Sequence, residues 1–209
     1  DSLSGMTFLD VGSGSGLFSL AAYNLGAKVV SFDFDANSVW CTNQLRERFC
    51  SDKSRWTVKI GSILESDFIK SLGHFDIVYS WGVLHHTPHP DKAMQQISKY
   101  LTKDGVFKLM LYSSDSWKNY MISVGLDQPE AQYGCPVAYT YTEGEIHDLL
   151  DDYFDIISID RDHIFPYQIE PYKNDEYIKQ PWFESMPDNM FKVLEKKLGW
   201  HLLITAKLK

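Results

Sequence analysis

Cysteine is scarce and unpatterned: the 209 residues hold three, Cys41, Cys50 and Cys135. An odd number without metal-ligand spacing excludes a disulfide framework and fits a reducing cytoplasm. No apolar run approaches ~20 residues, which excludes a spanning helix, and no signal peptide opens the chain. The chain begins at Asp1 without a methionine, so the expectation is that a preceding segment has been removed or lies outside this sequence. Basic residues are outnumbered, with 20 Lys and Arg against 28 Asp and Glu, for a net charge of −8. With no basic run either, this balance argues against affinity built on phosphate contacts and so against nucleic-acid partners. Internal repeats and low-complexity tracts are missing too. What is left is 44% hydrophobic and 23% charged, ordinary for one soluble domain with a sizeable core.

The most informative stretch is Phe8-Leu9-Asp10-Val11-Gly12-Ser13-Gly14-Ser15-Gly16-Leu17. An apolar strand enters three glycines at alternate positions, and a helical pattern of Leu17, Leu20, Ala21 and Leu25 follows, stopped by Gly26. Glycines at such a turn allow positive φ and close approach of a ligand to the backbone. The helix start adds free N–H groups and a positive dipole end. The spacing is G-x-G-x-G, whereas a pyrophosphate loop for dinucleotides reads G-x-G-x-x-G. Asp10, two residues before Gly12, suits a ligand carrying a positive group such as an ammonium. Lys28–Asp33 forms a second buried strand, and Asp33 lies 17 positions beyond Gly16. That is close to the ~20-residue offset at which a carboxylate meets ribose hydroxyls. Asp35 is the better N-cap for the helix carrying Val39, Leu45 and Phe49.

Trp56–Ile60 reads as a third strand, followed by Gly61-Ser62-Ile63. Phe75–Ser80 is a fourth, leading into Trp81-Gly82-Val83-Leu84-His85-His86-Thr87-Pro88-His89-Pro90 and a helix with Ala93, Met94, Ile97 and Leu101 on one face. In an open parallel sheet, ligands sit beyond the carboxyl ends of the strands, so residues 80–89, Ser80 and Trp81 included, should face the site. After Asp104-Gly105 a fifth strand, Val106–Tyr112, is expected. Thr142 and Glu145 read as a capping box, Phe154–Ile159 as a sixth strand and Trp200–Leu208 as a seventh.

Taken in order, these motifs resemble the class I, seven-strand methyltransferases that use S-adenosylmethionine. The stretch Phe75–His86 resembles motif IV of the small-molecule branch, which includes ubiquinone-biosynthesis enzymes; the signature of amino-methylating DNA enzymes is missing. The resemblance runs from Phe8 to Leu208. It implies an α/β, Rossmann-like, doubly wound seven-stranded sheet with an antiparallel last strand, in a single domain. It further implies S-adenosylmethionine held by Asp10, Gly12, Ser13, Gly14 and Gly16, with Asp33 on the ribose. Phe34, Gly61, Ser62 and Ile63 would lie at the adenine, and Ser80 and Trp81 would complete the cofactor site. Ser62 departs from the family's usual Gly-Asp at this point, which implies a weaker contact or one made by backbone.

The implied reaction is methyl transfer to an O, N or S nucleophile of a small molecule. A hydroxyl or ammonium acceptor needs a base, and imidazole titrates in the right range. His85 is the first choice and His86 the second, while His89 better suits capping or loop carbonyls. Although three histidines fall within five positions, no acid or thiol accompanies them, so no metal is expected. Two long aromatic-rich insertions, 113–141 and 163–199, are expected to meet as a lid over the cofactor. Tyr112, Cys135, Tyr139, Tyr141 and His163 should line the acceptor pocket. Two other classes share parts of this pattern: a nicotinamide-dependent oxidoreductase, and a non-catalytic binding module on the same fold.

Overall fold

The computed structural model describes residues 2–126 and 137–209. Strand and helix alternate through β1 (Thr7–Val11), α1 (Leu17–Asn24), β2 (Lys28–Asp33), α2 (Ala36–Phe49), β3 (Trp56–Ile60), α3 (Ser66–Lys70), β4 (Phe75–Trp81), α4 (Pro90–Tyr100) and β5 (Leu101–Ser113). There follow α5 (Trp117–Ser123), β6 (Thr140–Tyr141), α6 (Glu143–Leu150), β7 (Phe154–Asp162), α7 (Ile169–Tyr172), α8 (Pro181–Glu184), α9 (Asp188–Leu198) and β8 (His201–Leu208). The sheet order is β3-β2-β1-β4-β5-β8-β7, with the two-residue β6 paired to the end of β5. β1 to β5 pair in parallel, and β8 runs antiparallel to both β5 and β7. The seven-stranded α/β sheet with an antiparallel last strand is therefore as expected; β6 is the addition.

Local chemistry accounts for the boundaries. α1 starts directly after Gly16 in the left-handed conformation and is followed by Gly26, also left-handed. Asp35 caps α2 by accepting from the Ser38 N–H. Thr142 and Glu145 close a reciprocal capping box on α6. α4 opens with Pro90 at its first turn, but the side chain of His89 makes no capping bond. The Asp104-Gly105 turn lies inside β5 as an irregularity: between Phe75↔Leu101 and Ile77↔Val106, β5 advances five residues against two on β4.

The sheet is buried on both faces. On one face Leu9, Val11 and Val78 pack against Ala93, Met94 and Ile97 of α4 and Ile146 and Leu150 of α6. On the other, Phe8 and Val29 meet Ala22 and Tyr23 of α1 and the Trp56 ring. Each such aliphatic side chain contributes roughly 1.5–3 kcal/mol when buried. Strand order reverses at β1, whose neighbours are β2 and β4. That switch point opens a crevice beyond the strands' carboxyl ends.

Candidate active site

The glycine turn sits at the carboxyl end of β1, and its three glycines are required for different reasons. All have positive φ: Gly12 76°, Gly14 51° and Gly16 82°. A Cβ on Gly12 would stand 2.4 Å from Val83 Cγ2, and one on Gly16 would stand 2.9 Å from the Thr42 backbone. At Gly14 a Cβ would meet nothing within 4 Å. Gly12 and Gly16 therefore permit packing of the turn against the next loop and α2, while Gly14 leaves open space beside its backbone. Ser13 turns inward, its Oγ 3.1 Å from Thr42 Oγ1.

Asp33, at the end of β2, holds this turn. Its Oδ2 accepts from the Gly14 N–H at 2.9 Å, and its Oδ1 from the Asp35 N–H at 3.0 Å. Each carboxylate oxygen retains acceptor capacity. A cleft of about 320 Å³ runs past it, bounded at one end by Phe34, Gly61, Ser62 and Ile63 and at the other by Trp81, Gly82, Val83 and His86. That volume is at the lower end for small-molecule sites, ~300–1,000 Å³. Phe34 is 61% exposed, an apolar ring on the cleft lining. Ser62 Oγ is engaged by the Leu64 N–H, which fixes the bend after β3. Ser38, Gly82, Val83 and Thr87 also line the cleft. Gly82, Val83 and Thr87 fall within the stretch 80–89 expected to face the site, whereas sequence reading missed Ser38, three residues after the Asp35 cap.

At the far end, residues Leu84–His86 form a short 3-10 turn. The His86 Nδ1 lies 2.8 Å from the Val137 carbonyl. A carbonyl only accepts, so Nδ1 carries a proton, and in the neutral ring Nε2 is the acceptor. That Nε2 is buried and has no hydrogen-bond partner. The Tyr139 N–H donates to the His85 carbonyl at 2.9 Å, so segment 137–139 holds the turn in place.

Several expectations are corrected. His85 does not line the cleft: it is fully buried, its ring 3.8 Å from that of Tyr112. Burial first, then the neighbouring His86 and His201, push its pKa down to about 2, so it is unsuited to act as a base. Asp10 does not face the cleft either; it is 2% exposed. It ends a directed chain in which the Trp56 indole donates to Ser31, Ser31 to Ser19, and Ser19 to Asp10 Oδ2 at 2.5 Å. The order of donors follows because the single hydroxyl proton of Ser19 goes to the Asp10 carboxylate, which leaves Ser31 to donate to Ser19. Burial raises the Asp10 pKa to about 6. Ser80 points into the core, with its Oγ toward the Val11 carbonyl, and Gly16 lies outside the cleft.

The residues expected to line an acceptor pocket are dispersed. Tyr112 is buried against the rings of His85 and Trp200, and His163 stacks on His201 at 4.5 Å. Tyr141 borders a separate groove between α4 and α6, and Tyr139 is 41% exposed. Cys135 lies outside the described residues. The two insertions do touch, through Trp117 on Phe183 and Lys118 over Phe165, but neither supplies a side chain to the cleft lining among the described residues. Helix α9 of the second insertion packs on β7.

A doubly wound sheet with a glycine turn, an acid after β2 and a cleft at the switch point defines a nucleotide-cofactor enzyme of the α/β class. The chain belongs to the methyltransferase-domain family, which uses S-adenosylmethionine and whose model matches residues 2–158. It is 26% identical over 125 residues to a ubiquinone biosynthesis O-methyltransferase of Glaesserella parasuis serovar 5, covering 60% of this chain and 53% of that protein. The chain thus spans about half the length of this curated relative. Among solved structures, magnesium protoporphyrin IX methyltransferase from Synechocystis, with bound S-adenosylhomocysteine, superposes with a TM-score of 0.67 at 15% identity over 99% of this chain and 76% of that one. The Burkholderia thailandensis 1,6-didemethyltoxoflavin-N1-methyltransferase gives 0.63 at 20% identity, over 99% and 72%. Both share the fold.

The cleft fits this cofactor in its own chemistry. The open backbone at Gly14 admits close approach, Asp33 offers acceptor sites for hydroxyls, and Phe34 and Ile63 give an apolar end. Among the described residues no helix is long and apolar enough to cross a membrane.

Proposed function

We propose that the protein methylates an oxygen nucleophile of a small organic acceptor, with His86 as the general base. The observation that carries this reading is the His86 ring. It lines the cleft, its Nδ1–H is fixed by the Val137 carbonyl, and its Nε2 is held as an unpartnered acceptor. A hydroxyl needs such a base, and the curated relative is itself named an O-methyltransferase. S-adenosylmethionine supplies a methyl on a positively charged sulfur, which keeps the bonding pair as the methyl passes to the acceptor oxygen.

The chain's own groups do the rest. The turn at Gly14, Asp33 and Phe34 position the adenosine end, Trp81 and Gly82 bound the reacting end, and His86 Nε2 takes the acceptor's proton. The insertions at 113–141 and 163–199 act as the cover that keeps bulk water from the reacting end, with Val137 as their contact to the catalytic turn. An unpaired, exposed Cys41 and a buried Cys50 accord with a cytoplasmic setting. His86→Asn should lower the rate of methyl transfer to a panel of hydroxylated aromatics by ~10²-fold or more, with S-adenosylhomocysteine affinity changed much less. An unchanged rate would remove the base from the mechanism and leave positioning as the source of catalysis.

A further inference from the structure

Glycine leaves a backbone free to move unless something else restrains it. In the turn after β1, Gly12 is packed against Val83 and Gly16 against Thr42, whereas a Cβ on Gly14 would meet nothing within 4 Å. Gly14 is also a residue of the cleft lining. Its orientation therefore has to come from hydrogen bonds, and side chains supply two. Its N–H donates to Asp33 Oδ2 at 2.9 Å, and its carbonyl accepts from Thr42 Oγ1 at 3.1 Å. Neighbouring N–H groups are tied to backbone instead: Gly12 and Ser13 both donate to the Phe32 carbonyl, and Gly16 donates to the Ser13 carbonyl.

Thr42 is fully buried, the residue of α2 that turns inward completely. A threonine is not placed there for helix stability, because its branched Cβ is restricted against the preceding turn. Once buried, its hydroxyl needs a partner, and within a helix the usual one is a carbonyl of its own preceding turn. Here the single hydroxyl proton goes to Gly14. Ser13, whose Oγ lies 3.1 Å from Thr42 Oγ1, must then be the donor to Thr42. A directed chain thus runs from Ser13 through Thr42 to the Gly14 carbonyl.

That carbonyl belongs to the Gly14–Ser15 peptide. Released from Thr42, this peptide is free to rotate, since no atom stands where a Cβ would brace Gly14. Thr42 does not itself line the cleft, so any effect it has on a ligand passes through the turn.

We propose that Thr42 is a positioning residue of the cofactor site: its hydroxyl, donated from α2, holds the Gly14 peptide in the orientation that keeps the turn open to the ligand. Asp33 fixes one side of Gly14 and Thr42 the other. The inference rests on the assignment of this cleft to S-adenosylmethionine.

The test compares Thr42→Ser, Thr42→Val and Thr42→Ala by calorimetry with S-adenosylhomocysteine and by thermal unfolding of the free chain. Serine keeps the hydroxyl and loses the methyl, valine keeps the shape and loses the hydroxyl, and alanine loses both. All three should lower Tm, because each disturbs a buried contact. Affinity should instead sort by the hydroxyl. Thr42→Ser is expected within about threefold of wild type, with Thr42→Val and Thr42→Ala weaker by about tenfold, the scale of one lost hydrogen bond. Thr42→Ala only removes atoms, so it carries the comparison if the valine methyl prevents folding. Wild-type affinity in Thr42→Val or Thr42→Ala overturns the proposal. A loss in Thr42→Ser as large as that in Thr42→Ala overturns it too, and assigns Thr42 to packing. If wild type itself does not bind S-adenosylhomocysteine, the assignment of the cleft falls, and this proposal falls with it.

Discussion

At the residue scale, the glycine turn separates binding from folding. Gly14→Ala places a methyl in open space at φ 51°, so its cost to the fold is the left-handed strain, about 1–2 kcal/mol, while the methyl intrudes where the cofactor must approach. Gly16→Ala adds to the same strain a 2.9 Å clash with the Thr42 backbone. Calorimetry and thermal unfolding together should therefore show Gly14→Ala losing at least tenfold in S-adenosylhomocysteine affinity with a modest fall in Tm. Gly16→Ala should be the less stable of the two. Asp10 gives a second test at this scale. Its folded pKa is raised by burial to about 6 from an ordinary 3.8, so the folded state binds the extra proton between these values. Stability contributed by this group is then greatest below pH 4 and declines as pH rises through 6, by up to ~3 kcal/mol. Asp10→Asn keeps an acceptor for Ser19 without the titration. The difference in unfolding free energy between wild type and variant, measured from pH 4 to 7.5, should trace that decline; a flat difference would show that the carboxyl is not desolvated.

At the element scale, helices with explicit end chemistry were legible and the insertions were not. The capping box of α6 follows from two side chains three residues apart, and nothing distant can substitute for it. Thr142→Ala should cost about 1 kcal/mol by chemical denaturation with cofactor affinity unchanged, since α6 packs on α4 and β7, away from the cleft. Periodicity placed the strands to within a few residues. The last helix, α9, begins at Asp188 with Pro187 as its cap. The two-residue β6 has no period to read, and its pairing with β5 exists because the insertion returns along that strand. The same return brings Val137 to His86. No local pattern in residues 113–141 announces that contact, because it is made by a backbone carbonyl.

At the scale of the whole molecule, the net charge of −8 sets the partners that can be attracted over distance. The groove between α4 and α6 adds Asp91 on α4 and Glu145, Asp148 and Asp152 on or just after α6, with Lys92 beside them. Fluorescence anisotropy with duplex DNA or single-stranded RNA should show no binding that steepens as salt is lowered; a large negative slope of log affinity against log salt would reveal a basic surface the charge balance conceals. The succession of strands along the chain, the glycine turn and the acid after β2 were determined by the sequence alone, because each depends on backbone conformation and on apolar period over a few neighbouring residues. Which of the motif's side chains reach the cleft was decided by tertiary structure. Asp10 on β1 and Ser80 on β4 belong to strands buried on both faces, so their neighbours in the fold, and not their place in the motif, determine where they point. His85 and His86 are adjacent and chemically identical, yet one is packed against Tyr112 with its basicity suppressed and the other is turned to the cleft by a carbonyl from 51 residues away. Burial and hydrogen-bond partners separate the two, and both come from chain segments that meet only when the sheet is complete.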